Sequence, residues 1–383
     1  MKIFFDFQPG LDIRPTGIAQ MTFGIADALT KYVPEDDLLF FSEEDLLPHA
    51  FVKHILTHRD GTGVDLWNEK KVERGALSLA IRKYQNQQKV SIFTNIKRVR
   101  DLFDFEVSII ADLVYMLFPQ FHHEKVVHYY ESQILKDLLT SDLILPISNA
   151  TKVDCEQFFS SYMGRCETVY LGCDMPFWEE TSPDEELHNL YGDYFLILGT
   201  REPRKNLDLV HLAIAERPDL FKDVNVVFVG KQGWGETEKL PQAANVHFLD
   251  FVSYDKKVAL LANARALLYP SLYEGFGLPI AEANRLGTPV ICSIGGSCPE
   301  VADPQTTIYF DPTDVGSFCE AIAQSKGNLL HDEQKRELSQ WTAKFSWDAY
   351  VGVMMALIRT GLADKSTGVY RERLAVYDQM EAT

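Results

Sequence analysis

Short apolar runs alternate with longer stretches whose apolar positions recur at helical spacing along almost the whole chain. The runs Ile3–Phe7, Leu38–Phe41, Glu106–Ile110, Leu143–Pro146 and Glu167–Tyr170 read as one series of strands. A second series comprises Tyr194–Leu198, Asn225–Val229, Val246–Phe248, Ala266–Tyr269, Pro289–Cys292 and Thr307–Tyr309. Helices are expected between them at Ala19–Tyr32, Val127–Ser141, Leu207–Ala215, Asp255–Ala264 and Pro279–Leu286. Strands that alternate with helices predict parallel sheets covered on both faces, an α/β chain. Residues 176–192, rich in Glu, Pro and Asp, lack this periodicity and read as a linker between residues 1–175 and 193–344. From Phe345 to Met380 the pattern is helical again, with Trp347, Tyr350, Val351, Met354 and Leu357 at apolar positions. No internal repeat or low-complexity run interrupts the series.

The length of 383 residues suits two domains of ordinary size, and 46% hydrophobic residues is a globular value. A net charge of −18 argues against duplex nucleic acid as a partner, because phosphate backbones need a cationic face. Six scattered cysteines form no CxxC pair, so neither a zinc site nor a disulfide framework is expected. No apolar run reaches 18 residues, and the start reads as a strand, so a cytoplasmic protein is expected. The charge is uneven. Residues 69–100 carry nine basic and two acidic side chains, a local +7 that leaves −25 for the rest. Apolar residues interleave with that run, which reads either as a solvated face or as a peripheral contact with the inner face of a membrane.

The chemistry concentrates in Ser271–Ala283. Gly275 and Gly277 permit a tight loop after a strand, and Pro279 suits the first turn of the helix that follows. A helix N-terminus behind a glycine loop is an anion site suited to a diphosphate. Glu274 and Glu282 flank it and would repel phosphate if aimed at it. They are better used as hydroxyl acceptors, Glu282 for a ribose and Glu274 for a sugar, and that combination describes a nucleotide sugar.

The stretch Glu274–Glu282, EGFGLPIAE, resembles the E-x7-E motif of retaining glycosyltransferases of family four. Leu198–Asn206, Val227–Lys231, Leu249–Ser253, Gly295–Val301, Tyr309–Pro312 and Phe345–Trp347 resemble further landmarks of that family in the same order. The resemblance implies the GT-B fold. Two Rossmann-like domains face across a cleft, and a C-terminal helix, residues 345–383, returns to the first, acceptor-binding domain. The second domain, 193–344, would bind the donor, a GDP- or UDP-sugar, through Gly275, Phe276, Gly277, Leu278 and Glu282. Lys205 matches the family's lysine at the leaving diphosphate, with Arg201 or Arg204 as its basic partner. Gly17, in Arg14-Pro-Thr-Gly17, resembles the glycine loop after the first strand that approaches the donor phosphate. A histidine common in the family is replaced by Ala111; Asp112 remains as a group to orient or deprotonate the acceptor hydroxyl, or to cap a loop. His122 and His123 follow a few residues on.

The implied activity is retaining, metal-independent transfer of a hexose, mannose-like by the Glu202-Pro-Arg-Lys-Asn206 loop, to a saccharide or lipid-diphosphate-linked acceptor in surface polysaccharide synthesis. No cofactor beyond the donor is implied, and no Asp-x-Asp pair is present to chelate a metal. A dehydrogenase would need G-x-G-x-x-G after the first strand, which Gly10–Gly17 does not supply. A non-catalytic nucleotide-sugar-binding protein of the same fold is the remaining alternative.

Overall fold

The computed structural model describes residues 1–12, 15–59, 73–160, 164–233, 245–327 and 330–364. Arg14, residues 69–72 at the start of the basic run, and residues 365–383 of the expected C-terminal helix lie outside the described residues. The chain divides into two units. One holds Met1–Leu117, Glu124–Gly172 and the chain from Ser346 onward; the other holds Cys173–Phe345 together with Phe118–His123.

The first unit is built on a seven-stranded sheet. Its strands are β1 (Lys2–Asp6), β2 (Leu38–Ser42), β3 (Asp45–Leu47), β4 (Lys89–Phe93), β5 (Phe105–Ile110), β6 (Leu143–Pro146) and β7 (Arg165–Cys166). The order is β3-β2-β1-β4-β5-β6-β7, parallel throughout except where β3 turns back on β2. Every residue of β1, β4, β5 and β6 is buried, as expected of strands covered on both faces. The last strand is shorter and earlier than the pattern Glu167–Tyr170 suggests. Those residues continue the ladder only through Glu167 N to Ile144 O and Val169 N to Pro146 O.

Strand β4 was hidden in sequence by the basic run around it. Its charged flanks are neutralised by acids from later in the chain. The Lys89 ammonium lies 2.8 Å from Asp104. Lys97, just past β4 and 1% exposed, lies 2.7 Å from Glu106 on β5 and donates to Thr140 O and Oγ1 at 3.2 Å. Arg100 pairs with Asp137 at 2.6 Å and donates to Gln133 at 2.9 Å. Burial raises the Asp137 carboxyl above its ordinary range, and Arg100 and Lys97 pull it back. Among the described residues of the basic run, Lys89 and Lys97 are therefore internal and Arg100 is partly so. Arg74, Arg82, Lys83 and Arg98 stay exposed.

Helix Trp347–Asp364 packs in this unit against helix Gly17–Tyr32, the return expected of the C-terminal helix. Two glycines make room for its first side chain. A Cβ on Gly24 would lie 2.1 Å from the Trp347 ring, and one on Gly172 would lie 2.5 Å from it.

The second unit carries β8 (Tyr194–Leu198), β9 (Asn225–Val229), β10 (Val246–Leu249), β11 (Ala266–Tyr269), β12 (Val290–Ser293) and β13 (Ile308–Phe310). The order is β10-β9-β8-β11-β12-β13, all parallel. The chain thus steps outward from β8 to β9 and β10, then returns to the other side with β11. In open sheets of this kind, ligands bind beyond the carboxyl ends of the strands at that reversal. Residues 176–192 group with this unit and are structured. They hold a turn at Trp178–Glu180 and helix Glu185–Tyr191, which Asp184 caps by accepting from Leu187 N at 3.0 Å. Among the described residues no helix is long and apolar enough to cross a membrane.

Candidate functional site

The reversal between β8 and β11 brings together two loops, Gly199–Asn206 after β8 and Pro270–Gly277 after β11. The first loop is pinned by close backbone approaches. A Cβ on Gly230 would lie 1.8 Å from the Gly199 oxygen, and Gly230 has φ +153°, so only glycine fits. The loop ends in a tight turn, Pro203–Lys205, and then Asn206 in the left-handed conformation, φ 54°. The Asn206 amide donates to Pro270 O at 3.2 Å and Pro312 O at 2.8 Å, tying the loop to the ends of β11 and β13. Leu272 N donates to Arg204 O at 2.9 Å and joins the two loops directly. Behind the second loop, the Glu274 carbonyl accepts from Ser297 N at 3.0 Å and Ser297 Oγ at 3.1 Å. Gly296 must be glycine there, because its Cβ would stand 2.3 Å from that same oxygen.

This scaffold focuses four charged side chains. Lys205 Nζ lies 2.6 Å from Glu274 Oε1 and donates to the Tyr269 hydroxyl at 3.1 Å. Arg204 Nη1 lies 2.9 Å from Glu274 Oε2 and donates to Tyr273 O at 2.8 Å. Its Nη2 lies 2.6 Å from Glu202. Both acids are buried, Glu202 5% and Glu274 6% exposed, so two cations face two anions and the formal sum is zero. Of the two arginines named from sequence, Arg204 is the one beside Lys205. Arg201 pairs instead with Asp250 at 3.3 Å and rests over the Phe248 ring.

Burial alone would push the Glu274 carboxyl up, but the Arg204 and Lys205 charges outweigh it and hold the pKa at about 2, against an ordinary 4.5. The unfolded chain takes up this proton near 4.5 and the folded chain only near 2, so the unfolded state binds more protons in between. The group's contribution is complete above about 4.5 and is lost as the pH falls through about 2. Wild type should therefore lose more stability than Glu274→Gln between those pH values in denaturant melts. Parallel losses would refute the assignment.

Gly277, φ +86°, opens helix Leu278–Arg285 with Pro279 in its first turn, as the sequence suggests. Phe276 is buried and meets the Phe345 ring edge-on at 5.4 Å, which anchors the Gly275–Leu278 loop. Glu282 projects from that helix and holds Lys257 at 2.7 Å. An ionised carboxylate has about four acceptor positions, so this pair leaves capacity for a diol. Lys257 and Glu202 were not singled out from sequence: lysines are common on helices, and a Glu two residues before an Arg carries no distinctive spacing.

The remaining candidates belong to the first unit. Gly17 begins helix Gly17–Tyr32, and a Cβ there would meet nothing within 4 Å. The protein itself does not demand glycine at that position. Asp112 follows β5, is half-buried, and accepts from Val114 N at 3.1 Å. That bond closes a local turn just before the short helix Val114–Leu117 and leaves the carboxylate's other oxygen for either role expected of it. His122 and His123 lie in the turn that groups with the second unit, where the Phe118 ring packs 6.0 Å from Tyr273. No group of three or more His, Cys, Asp or Glu with the geometry to hold a metal ion occurs among the described residues.

Two largely parallel α/β sheets, with a charge-paired glycine loop at the strand reversal of the second, make up the GT-B fold. The chain belongs to the family described as glycosyl transferases group 1, which matches residues 179–341. It is 30% identical over 260 residues to O-antigen chain mannosyltransferase B of Escherichia coli, covering 63% of this chain and 67% of that protein. It is 29% identical over 235 residues to the MMP alpha-(1->4)-mannosyltransferase of Mycolicibacterium hassiacum, covering 57% of this chain and 54% of that protein. Among solved structures, Anabaena HepE in complex with UDP and glucose superposes with a TM-score of 0.67 at 18% identity, over 94% of this chain and all of that one. Sucrose-phosphate synthase of Thermosynechococcus elongatus gives 0.66 at 15% identity, over 95% of this chain and all of that one. The two structures share the fold.

Proposed function

We propose that this glycosyltransferase moves a hexose, mannose in the first instance, from a GDP- or UDP-sugar to a saccharide or lipid-diphosphate-linked acceptor in surface polysaccharide synthesis, with retention of configuration and without a metal. The observation that carries the reading is the convergence of Lys205 and Arg204 on Glu274 at the β8/β11 reversal. The mannosyltransferase relatives support the sugar and the pathway class. The neighbour solved with UDP and glucose supports a nucleotide-sugar donor.

In this reading the donor diphosphate lies against the Gly275–Leu278 loop, with Lys205 and Arg204 at the oxygens that become charged. Glu282 accepts from the ribose and Glu274 from the sugar hydroxyls. Gly17, on the first unit, is assigned to the donor phosphate, and Arg201, on the same loop as Lys205, to the donor as well. The bond from the anomeric carbon to the diphosphate oxygen breaks. The acceptor oxygen bonds to the same face, and its proton passes to the departing diphosphate. Asp112 orients the acceptor hydroxyl. Transition-state stabilisation comes mainly from the two cations, which act as fixed charges in a water-poor site and take the role a metal plays elsewhere.

A thermal-shift panel of GDP-mannose, UDP-glucose and their free nucleotides tests this reading. A donor present at about 100 times its dissociation constant stabilises the folded chain by about 2.7 kcal/mol. One nucleotide series should shift the melt, equally with and without EDTA. A flat panel sinks the donor assignment, and a shift abolished by EDTA sinks the metal-free one.

A further inference from the structure

We propose that Glu202 is a positioning residue that aims Arg204 at the donor diphosphate. The inference rests on the diphosphate reading above and adds to it a side chain with no assigned part. Lys205 and Glu274 alone would form a closed pair. Arg204 then has a choice. Its planar fork can lie flat against the Glu274 carboxylate through two parallel hydrogen bonds, the arrangement guanidinium groups favour. In the structure the fork is shared between two acids. Nη1 reaches Glu274 at 2.9 Å, and the same nitrogen donates to Tyr273 O at 2.8 Å. Nη2 is drawn off to Glu202 at 2.6 Å.

Glu202 is well placed to hold that pose. It is 5% exposed, it directly precedes the Pro203–Lys205 turn, and its own carbonyl accepts from Lys205 N at 3.0 Å. Its backbone therefore shapes the turn while its side chain holds the arginine. Its charge has a second effect. With Glu274 it brings the cluster's formal sum to zero, so the cations are stabilised before any diphosphate arrives and the product is not trapped by surplus positive charge. Without Glu202, Arg204 is free to fold flat onto Glu274, which takes its charge from the leaving group. A displacement of about 1 Å in such a group is costly to rate.

The test is a double-mutant cycle on the full chain, read by turnover of GDP-mannose and UDP-glucose and by calorimetric affinity for GDP and UDP. Glu202→Ala should lower kcat about tenfold with donor KM changed less than about twofold, the pattern of an interaction made in the transition state. On an Arg204→Ala background the same change should do nothing further, because Glu202 acts through that arginine. Glu202→Gln, which keeps an acceptor for Nη2, should retain most of the turnover and bind nucleoside diphosphate more tightly. It also serves if the alanine variant fails to fold. An equal loss on both backgrounds, or no loss in Glu202→Ala, overturns the proposal. If Arg204→Ala leaves both turnover and nucleotide affinity unchanged, the diphosphate reading itself falls. If Arg204→Ala is impaired while Glu202→Ala and Glu202→Gln match wild type, only the role of Glu202 falls.

Discussion

Lys205→Ala should lower the rate of sugar transfer about 100- to 1,000-fold, the range seen when one preorganised donor to a developing negative charge is removed. The chain should stay folded. Glu274 keeps its 2.9 Å contact with Arg204, so the buried carboxylate is not left without a cation. The Tyr269 hydroxyl loses one hydrogen bond, a cost of about 1 kcal/mol. Lys205→Arg should not restore the rate. The lysine stem runs beside Gly199, where even a Cβ would stand 3.3 Å from its Cε, and the Tyr269 ring lies 4.9 Å from Nζ on another side. A planar, delocalised guanidinium does not reproduce the compact point charge of the ammonium at that position. Single-turnover measurement of transfer together with a thermal melt separates chemistry from folding. A variant that melts like wild type and transfers at the wild-type rate removes Lys205 from the mechanism.

The second large effect is on stability and lies in the other unit. Lys97→Ala should cost about 3–5 kcal/mol, because it strands Glu106 in the sheet interior with no cation. Glu106 is 2% exposed, and its other oxygen accepts only a backbone N–H, from Leu102 at 3.2 Å. The lysine also leaves two acceptors on Thr140 behind. The paired change Lys97→Met with Glu106→Leu should recover much of the loss, since an apolar pair of similar volume replaces both charges. The urea midpoint of the first unit's transition reads the effect. An unchanged midpoint in Lys97→Ala would mean that the ion pair contributes nothing, and that the basic run behaves as solvated surface after all.

That run shows where local pattern stops being informative. Nine basic residues within 32 positions read either as a solvated face or as a contact with an anionic surface, because Asp104, Glu106 and Asp137, the partners of Lys89, Lys97 and Arg100, are spread along later sequence. The sheet order places β4 beside β5 and brings those acids to the lysines. The same run masked β4, whose five residues are all buried. By contrast β6, β8, β9 and β11 begin and end at the residues the apolar runs indicate, since a strand buried on both faces needs an unbroken apolar stretch. The site was legible to a similar depth. Gly275, Gly277 and Glu274 stand out because a tight loop with a charge at its edge demands particular residue types at particular spacings, whereas Lys205 stood out only through the family resemblance. The choice between Arg201 and Arg204 was not legible, since both follow β8 within six residues.

The sequence by itself determined the alternation of strand and helix, the two α/β halves, and the glycine-and-glutamate loop. These follow from periodicity and from backbone conformations open to few residues. Only the tertiary structure decided which arginine stands beside Lys205, that Glu202 and Glu274 balance the pair, that Lys257 holds Glu282, and that Lys89 and Lys97 of the basic run are buried against acids. Each of these is a contact between charges far apart along the chain or on opposite sides of a turn. Which charges meet is set by strand order and loop closure, and no local pattern encodes either.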